Sequence, residues 1–98
     1  MTNPKARRAA EIQDAIRQVL FRDWDPIGVN DNPNLQDEYD DYIAPVYRIL
    51  VGSRSEQELC EFLYRTARDT IGVASDSVEH FEAGRPIARK LLELDVTL

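Results

Sequence analysis

The sequence predicts an all-α fold, a compact irregular bundle of about four helices that forms a single domain over residues 1–98. Apolar residues recur every three or four positions over long stretches, as on the buried face of a helix. Residues typical of helix starts precede several of these stretches. No segment shows the apolar–polar alternation of a half-buried strand. We expect helices at about residues 4–22, 36–51, 55–70 and 76–94.

The first helix has a defined predicted start. Asn3 is a favourable N-cap, and Pro4 suits the first helical position because an N–H there has no partner within the helix. Helical spacing then places one apolar stripe on the inward face, made of Ala9, Ile12, Ile16, Val19 and Leu20.

Residues 23–35 form a predicted loop, because proline, glycine and asparagine recur there and include Pro26 and Gly28. Trp24 is too apolar to be left in water. We therefore expect it to be largely buried and to clamp the loop onto the first and second helices. Asp25 precedes Pro26, and we expect its carboxylate to accept backbone N–H groups in a turn.

The second helix is predicted to begin near Gln36 or Asp37 and to end before Gly52, a residue favoured just after a helix. Pro45 lies inside this stretch and lacks an N–H, so we expect it to kink or split the helix. The predicted inward face consists of Tyr39, Tyr42, Ile43, Val46, Ile49 and Leu50.

The third helix begins at a predicted capping box, in which the Ser55 hydroxyl caps the first turn and Glu58 reaches back. It is expected to stop at Gly72. Its predicted inward residues are Leu59, Phe62, Leu63, Thr66 and Ala67.

The fourth helix is predicted to start within residues 75–77 and to bend in the middle, where Gly84 and Pro86 both weaken a helix. Its predicted inward residues are Val78, Phe81, Ile87, Leu91 and Leu92.

The charge distribution excludes several classes of function. The net charge is −6, and residues 23–41 hold seven acidic residues and no basic one. Such a segment repels a phosphate backbone, so we expect no nucleic-acid binding. No apolar run approaches the roughly 20 residues that span a bilayer, so we expect no membrane insertion. Cys60 is the only cysteine, which fits a reducing compartment, and we expect a cytoplasmic protein.

The acidic loop suggests a calcium site, but the EF-hand pattern fails. If Asp23 is position 1, Ile27 stands at position 5 without a side-chain oxygen, and Asn34 replaces the bidentate glutamate at position 12. The alternative function is a small metal-dependent enzyme that uses carboxylates of the 31–41 segment, namely Asp31, Asp37, Asp40 and Asp41.

Other catalytic arrangements are not apparent. A Cys–His nucleophile pair would require Cys60 and His80 to meet with a third group that orients the imidazole. Cys60 lies at the edge of an apolar face, where a cysteine behaves as a small hydrophobic residue. We therefore predict no catalytic residue, no metal ligand and no cofactor.

Tyrosines accompany the acidic residues of the second helix. Tyr39, Tyr42 and Tyr47 either pack in the core with their hydroxyls at its rim or form a contact surface for a basic partner. The leading hypothesis is a non-enzymatic interaction module that binds a basic partner, either a toxin, in the manner of an immunity protein, or another cytosolic protein. The oligomeric state is left open. The predicted surface comprises Asp37, Glu38, Tyr39, Asp40, Asp41 and Tyr47.

Three motifs carry a resemblance: Trp24-Asp25-Pro26-Ile27-Gly28-Val29, Asp37-Glu38-Tyr39-Asp40-x-Tyr42 and Tyr47-Arg48-x-Leu50. Over roughly residues 16–94 the chain resembles a family of small bacterial proteins with a YugE-like domain of unknown function. Members continue with a Gly-x-Ser-like turn and a capped helix, as residues 52–58 do, but read Met-Gly-Leu where this chain has Ile71-Gly72-Val73. The resemblance implies a helical bundle of bacterial origin and no assigned activity.

Overall fold

The computed structural model describes residues 3–72 and 78–98 and has the predicted all-α architecture. Within these residues there is no strand. The α-helices are α1 at Pro4–Val19, α2 at Ile43–Val51, α3 at Glu56–Arg65, α4 at Val78–Glu82 and α5 at Arg85–Glu93.

Helix α1 starts as predicted and ends later than predicted. The Asn3 side chain accepts the N–H of Lys5 at 2.8 Å, and Pro4 occupies the first helical position. A π-helical turn at Leu20–Trp24 extends the helix, and the N–H of Asp25 closes it on the carbonyl of Leu20 at 2.9 Å. Trp24 therefore belongs to the end of the first helix and not to the loop.

The second helix is shorter than predicted. Residues 36–39 form turns, a 3₁₀ turn follows at Asp40–Tyr42, and α2 begins only at Ile43. Pro45 is thus the third residue of α2, so it neither kinks nor splits the helix. An N–H in the first turn has no intrahelical partner in any case, and a proline is tolerated there.

The predicted end of α2 before Gly52 is confirmed. A Cβ at Gly52 would lie 2.9 Å from the carbonyl oxygen of Arg48, which explains the glycine. Arg54 then adopts a left-handed φ of 51° and donates to the carbonyls of Leu50 at 3.3 Å and Leu92 at 3.0 Å. This one side chain caps α2 and ties it to the end of α5.

The predicted cap of α3 is present, with one difference. The Ser55 hydroxyl accepts the N–H of Glu58 at 3.1 Å. The Glu58 carboxylate reaches back through Ser53, whose hydroxyl donates to it at 3.0 Å and accepts the N–H of Ser55 at 3.4 Å. A π-helical turn at Thr66–Ile71 continues α3, and Gly72 ends it with a φ of 80°, as predicted.

The predicted fourth helix is divided into α4 and α5 at residues 83–84, where a bend was expected. Its predicted start at residues 75–77 lies outside the described residues. Val78 was predicted to face inward, but 76% of its surface is exposed, because it begins the short α4 at the edge of the bundle. Ala88 is the fully buried residue of α5 that accompanies Leu91.

One core joins the helices. Helix α1 packs on α2 and α5, and α3 packs on α2, α4 and α5. Val96 of the tail is also buried, because Arg8 donates to the carbonyls of Asp95 at 2.7 Å and Thr97 at 2.8 Å. Among the described residues, no helix is long and apolar enough to cross a membrane. Fully buried side chains include Ile12, Ile16, Leu20, Val46, Leu50, Leu59, Leu63 and Leu91.

Candidate functional site

The seven acidic residues of the 23–41 segment have different environments. Asp23 pairs with Lys90 at 2.9 Å, Asp25 is half-buried within a turn, and Asp40 pairs with Arg17. The other four are exposed and form no ion pair within the described part of the chain. We call these four the acidic surface: Asp31, Asp37, Glu38 and Asp41.

Asp40, a residue of the predicted interaction surface, is partly exposed and forms an ion pair with Arg17 of α1. Arg17 of α1 donates from Nε to Oδ1 and from a terminal nitrogen to Oδ2 of Asp40, both at 2.9 Å. A further nitrogen of Arg17 lies 3.3 Å from Asp14. The hydrogen bonds to Asp40 raise the pKa of Arg17 against the opposing effect of burial. Asp40 thus anchors the turn before α2 onto α1.

Tyr39 is buried, with 3% of its surface exposed, which confirms its predicted inward position and removes it from the predicted contact surface. Its hydroxyl donates to Oδ1 of Asp25 at 2.8 Å and accepts the N–H of Ile27 at 3.1 Å. Burial and the neighbouring Asp25 carboxylate raise the pKa of Tyr39, although the Ile27 N–H opposes them. The phenol is therefore a protonated donor at neutral pH.

Asp25 organises the turn, as the sequence predicted. It lies in the left-handed region with a φ of 34°, and its carboxylate accepts the N–H groups of Val29 at 2.8 Å and Asn30 at 3.1 Å. Burial raises the pKa of Asp25, but hydrogen bonds from Val29, Tyr39 and Asn30 outweigh it and bring the pKa below its usual value. Pro26 follows half-buried. Gly28 has a φ of 70°, a conformation that favours glycine.

Trp24 is half-buried and packs against the core, in line with its predicted burial. Its ring centroid lies 5.3 Å from that of Tyr39 and 5.8 Å from that of Tyr42, the second pair edge-on. These aromatic contacts hold the end of the first helix against the turns before α2. These contacts form the predicted clamp, and part of the Trp24 side chain stays exposed.

A groove of about 340 Å³ runs between α1 and α2. We call it the α1/α2 groove; its lining is mostly apolar, and Tyr47 stands half-buried at its side. Sequence reasoning missed the groove, although the pairing of small residues on two neighbouring helices was a usable signal. The residues that line it are Ala9, Ile12, Gln13, Ile16, Arg17, Asp40, Ile43, Ala44, Tyr47 and Leu98.

The residues considered for catalysis or metal binding have different environments. Within residues 3–72 and 78–98, no group of three histidine, cysteine, aspartate or glutamate side chains is placed to hold a metal ion. Cys60 has no exposed surface, and burial raises the pKa of its thiol, which disfavours the nucleophilic thiolate. His80 is exposed on the short α4.

Searches of protein-family models, curated proteins and solved structures found no match to this chain. The resemblance to the YugE-like domain stays a prediction.

Proposed function

We propose that this protein is a non-enzymatic interaction module of the bacterial cytoplasm, which presents its acidic surface to a basic protein partner in the manner of an immunity protein. The observation that supports the proposal is the state of four carboxylates. Asp31, Asp37, Glu38 and Asp41 are exposed within eleven consecutive residues that contain no basic one, and none has an ion-pair partner among the described residues.

Exposed carboxylates without ion-pair partners favour binding to another protein more than they stabilise the fold. An exposed ion pair contributes little to folding, whereas a one-signed patch accelerates encounter with an oppositely charged protein and disfavours other partners. The structure of the segment also limits its freedom. Asp40 is held by Arg17, and Tyr39 is held by Asp25. The exposed carboxylates next to these two residues are therefore carried on a fixed backbone. A fixed backbone reduces the ordering cost of binding.

The test compares two variants that have the same net charge. The first removes the acidic surface by Asp31→Asn, Asp37→Asn, Glu38→Gln and Asp41→Asn. The matched control neutralises four carboxylates elsewhere on the protein by Glu11→Gln, Glu61→Gln, Glu79→Gln and Glu93→Gln.

Each protein is immobilised, and the proteins retained from a lysate of the native cell are identified and quantified. We expect the wild type and the control to retain the same basic protein, the first variant to lose it, and added salt to weaken retention. Equal retention by all three proteins would show that the acidic surface is not the contact. In parallel, the melting temperature is measured at increasing concentrations of a divalent metal ion. The metal-dependent alternative requires the melting temperature to rise with the metal concentration.

A further inference from the structure

The α1/α2 groove is open because small residues face each other across it. Ala9 of α1 and Ala44 of α2 line opposite sides, and the buried Ile12 and Ile16 lie beneath. Tyr47 adds an aromatic side to the same groove. A pair of helices that left no room for a further element would carry larger side chains at these positions.

One end of the groove carries an excess of negative charge. At the end near the acidic segment, Arg17 also lines a neighbouring polar depression together with Asp14 and Asp37. Counting Asp40, three carboxylates there face one guanidinium, and Arg17 is already engaged by Asp40 and Asp14. The exposed Asp37 remains without an ion pair among the described residues. This end therefore attracts a cation.

The polar groups of the groove are few, and its charged pair is already satisfied. A site for a small polar molecule needs several side chains that converge on the ligand. Here the only charged pair, Arg17 with Asp40, is satisfied internally by two hydrogen bonds of 2.9 Å. An apolar groove between two helices with charge at one end instead matches the recognition of an amphipathic helix, which inserts apolar residues at helical spacing.

We infer that the α1/α2 groove docks an amphipathic helix of the basic partner, with apolar side chains over Ala9 and Ala44 and a lysine or arginine at the end that faces Asp37. The inference rests on the proposed function, since it assigns a helix to that partner and a binding site to that helix. The acidic surface steers the partner, and the groove supplies the apolar contact that slows its dissociation.

The test uses two helical peptides of about 14 residues, or four turns. Both carry leucine at the same positions along one face, and the remaining positions are all lysine in one peptide and all glutamate in the other. Each is titrated into the ¹⁵N-labelled protein, and amide chemical shifts are followed. We expect the lysine peptide to shift the amides of Ala9, Gln13, Ala44 and Tyr47, and the glutamate peptide to bind at least about tenfold more weakly.

A matched pair of variants locates the site. Ala44→Trp fills the groove and is expected to lower the affinity for the lysine peptide by at least about tenfold. Ala10 is an exposed residue of α1 outside the groove, and Ala10→Trp is expected to leave this affinity unchanged. Binding that persists in Ala44→Trp with shifts confined to the acidic surface would overturn the groove inference and leave the proposed function standing. Absence of groove shifts with either peptide, or the same shifts produced by concentrating the protein alone, would also overturn it.

Discussion

The phenol of Tyr39 donates a 2.8 Å hydrogen bond to Oδ1 of Asp25, fourteen residues earlier in the chain. The same carboxylate accepts the N–H of Val29 and, through its other oxygen, that of Asn30. The end of the first helix, the turn after it and the turns before α2 therefore share one polar centre. This centre fixes the backbone on both sides of the acidic surface.

Tyr39→Phe removes a donor from Asp25 and an acceptor from the N–H of Ile27 while keeping the ring. We expect a loss of about 1–3 kcal/mol in the free energy of unfolding, because the Ile27 N–H loses its acceptor and the Asp25 carboxylate loses one of its three donors in a part-buried site. Urea denaturation followed by circular dichroism measures it. Tyr47→Phe is the control, since the Tyr47 hydroxyl has no hydrogen-bond partner among the described residues, and it should change stability by less than about 0.5 kcal/mol. Equal effects of the two substitutions would contradict the role of the Tyr39 hydroxyl.

Asp25 should contribute to stability in a pH-dependent way. Its folded-state pKa is lowered from 3.8, so the charged form is favoured by folding. Its contribution is therefore present above about pH 4 and is lost as the pH falls through the folded-state pKa. Asp25→Asn should cost about 1–3 kcal/mol at neutral pH, and the difference from wild type should shrink in acid.

Urea titrations at neutral pH and at about pH 3 measure this difference. The control is Asp31→Asn, because the exposed Asp31 carboxylate accepts no hydrogen bond within the described residues. A constant difference between Asp25→Asn and wild type across this range would show that the carboxylate charge is not what the turn requires.

Trp24→Ala should destabilise the protein by about 2–3 kcal/mol, at or below the lower end of the range for a fully buried aromatic side chain. The reason is that the indole is half-buried and is held mainly by Tyr39 and Tyr42. Trp24→Phe keeps an aromatic ring and should lower the free energy of unfolding by less than Trp24→Ala does. Because Trp24 is the only tryptophan, native fluorescence reports on it directly and should be partly quenched by iodide. Quenching as complete as in the denatured protein would place the indole in water.

Arg54 has a strained, left-handed backbone conformation, and its side chain donates two hydrogen bonds. Two substitutions separate the effects of these features on stability. Arg54→Ala loses the hydrogen bonds to Leu50 and Leu92 and keeps the left-handed φ of 51°. Arg54→Gly loses the same bonds but adopts this φ without a steric cost. We expect Arg54→Gly to be more stable than Arg54→Ala by about 1 kcal/mol in thermal or urea unfolding. The reverse order would show that the backbone conformation at this residue is not strained.

The groove and the pairing of Asp40 were not predictable from local pattern. Arg17 and Asp40 are separated by 23 positions, and only the path of the chain after Trp24 brings them together. The sequence placed Asp40 with its exposed neighbours because all of them share one acidic run. Tyr39 was assigned to the contact surface for the same reason. Helical spacing also placed Tyr39 on the inward face, and its burial confirms that position.

The sequence by itself determined the all-α class, the caps at Asn3 and Ser55, the turn at Asp25 and the stops at Gly52 and Gly72. Each of these depends on hydrogen bonds or backbone angles within a few residues, and local residue types set such features. The tertiary structure alone decided that Asp40 is paired with Arg17 and that the α1/α2 groove is open. These depend on how the long acidic loop returns the chain to α1, and that route is chosen by the packing of the whole core.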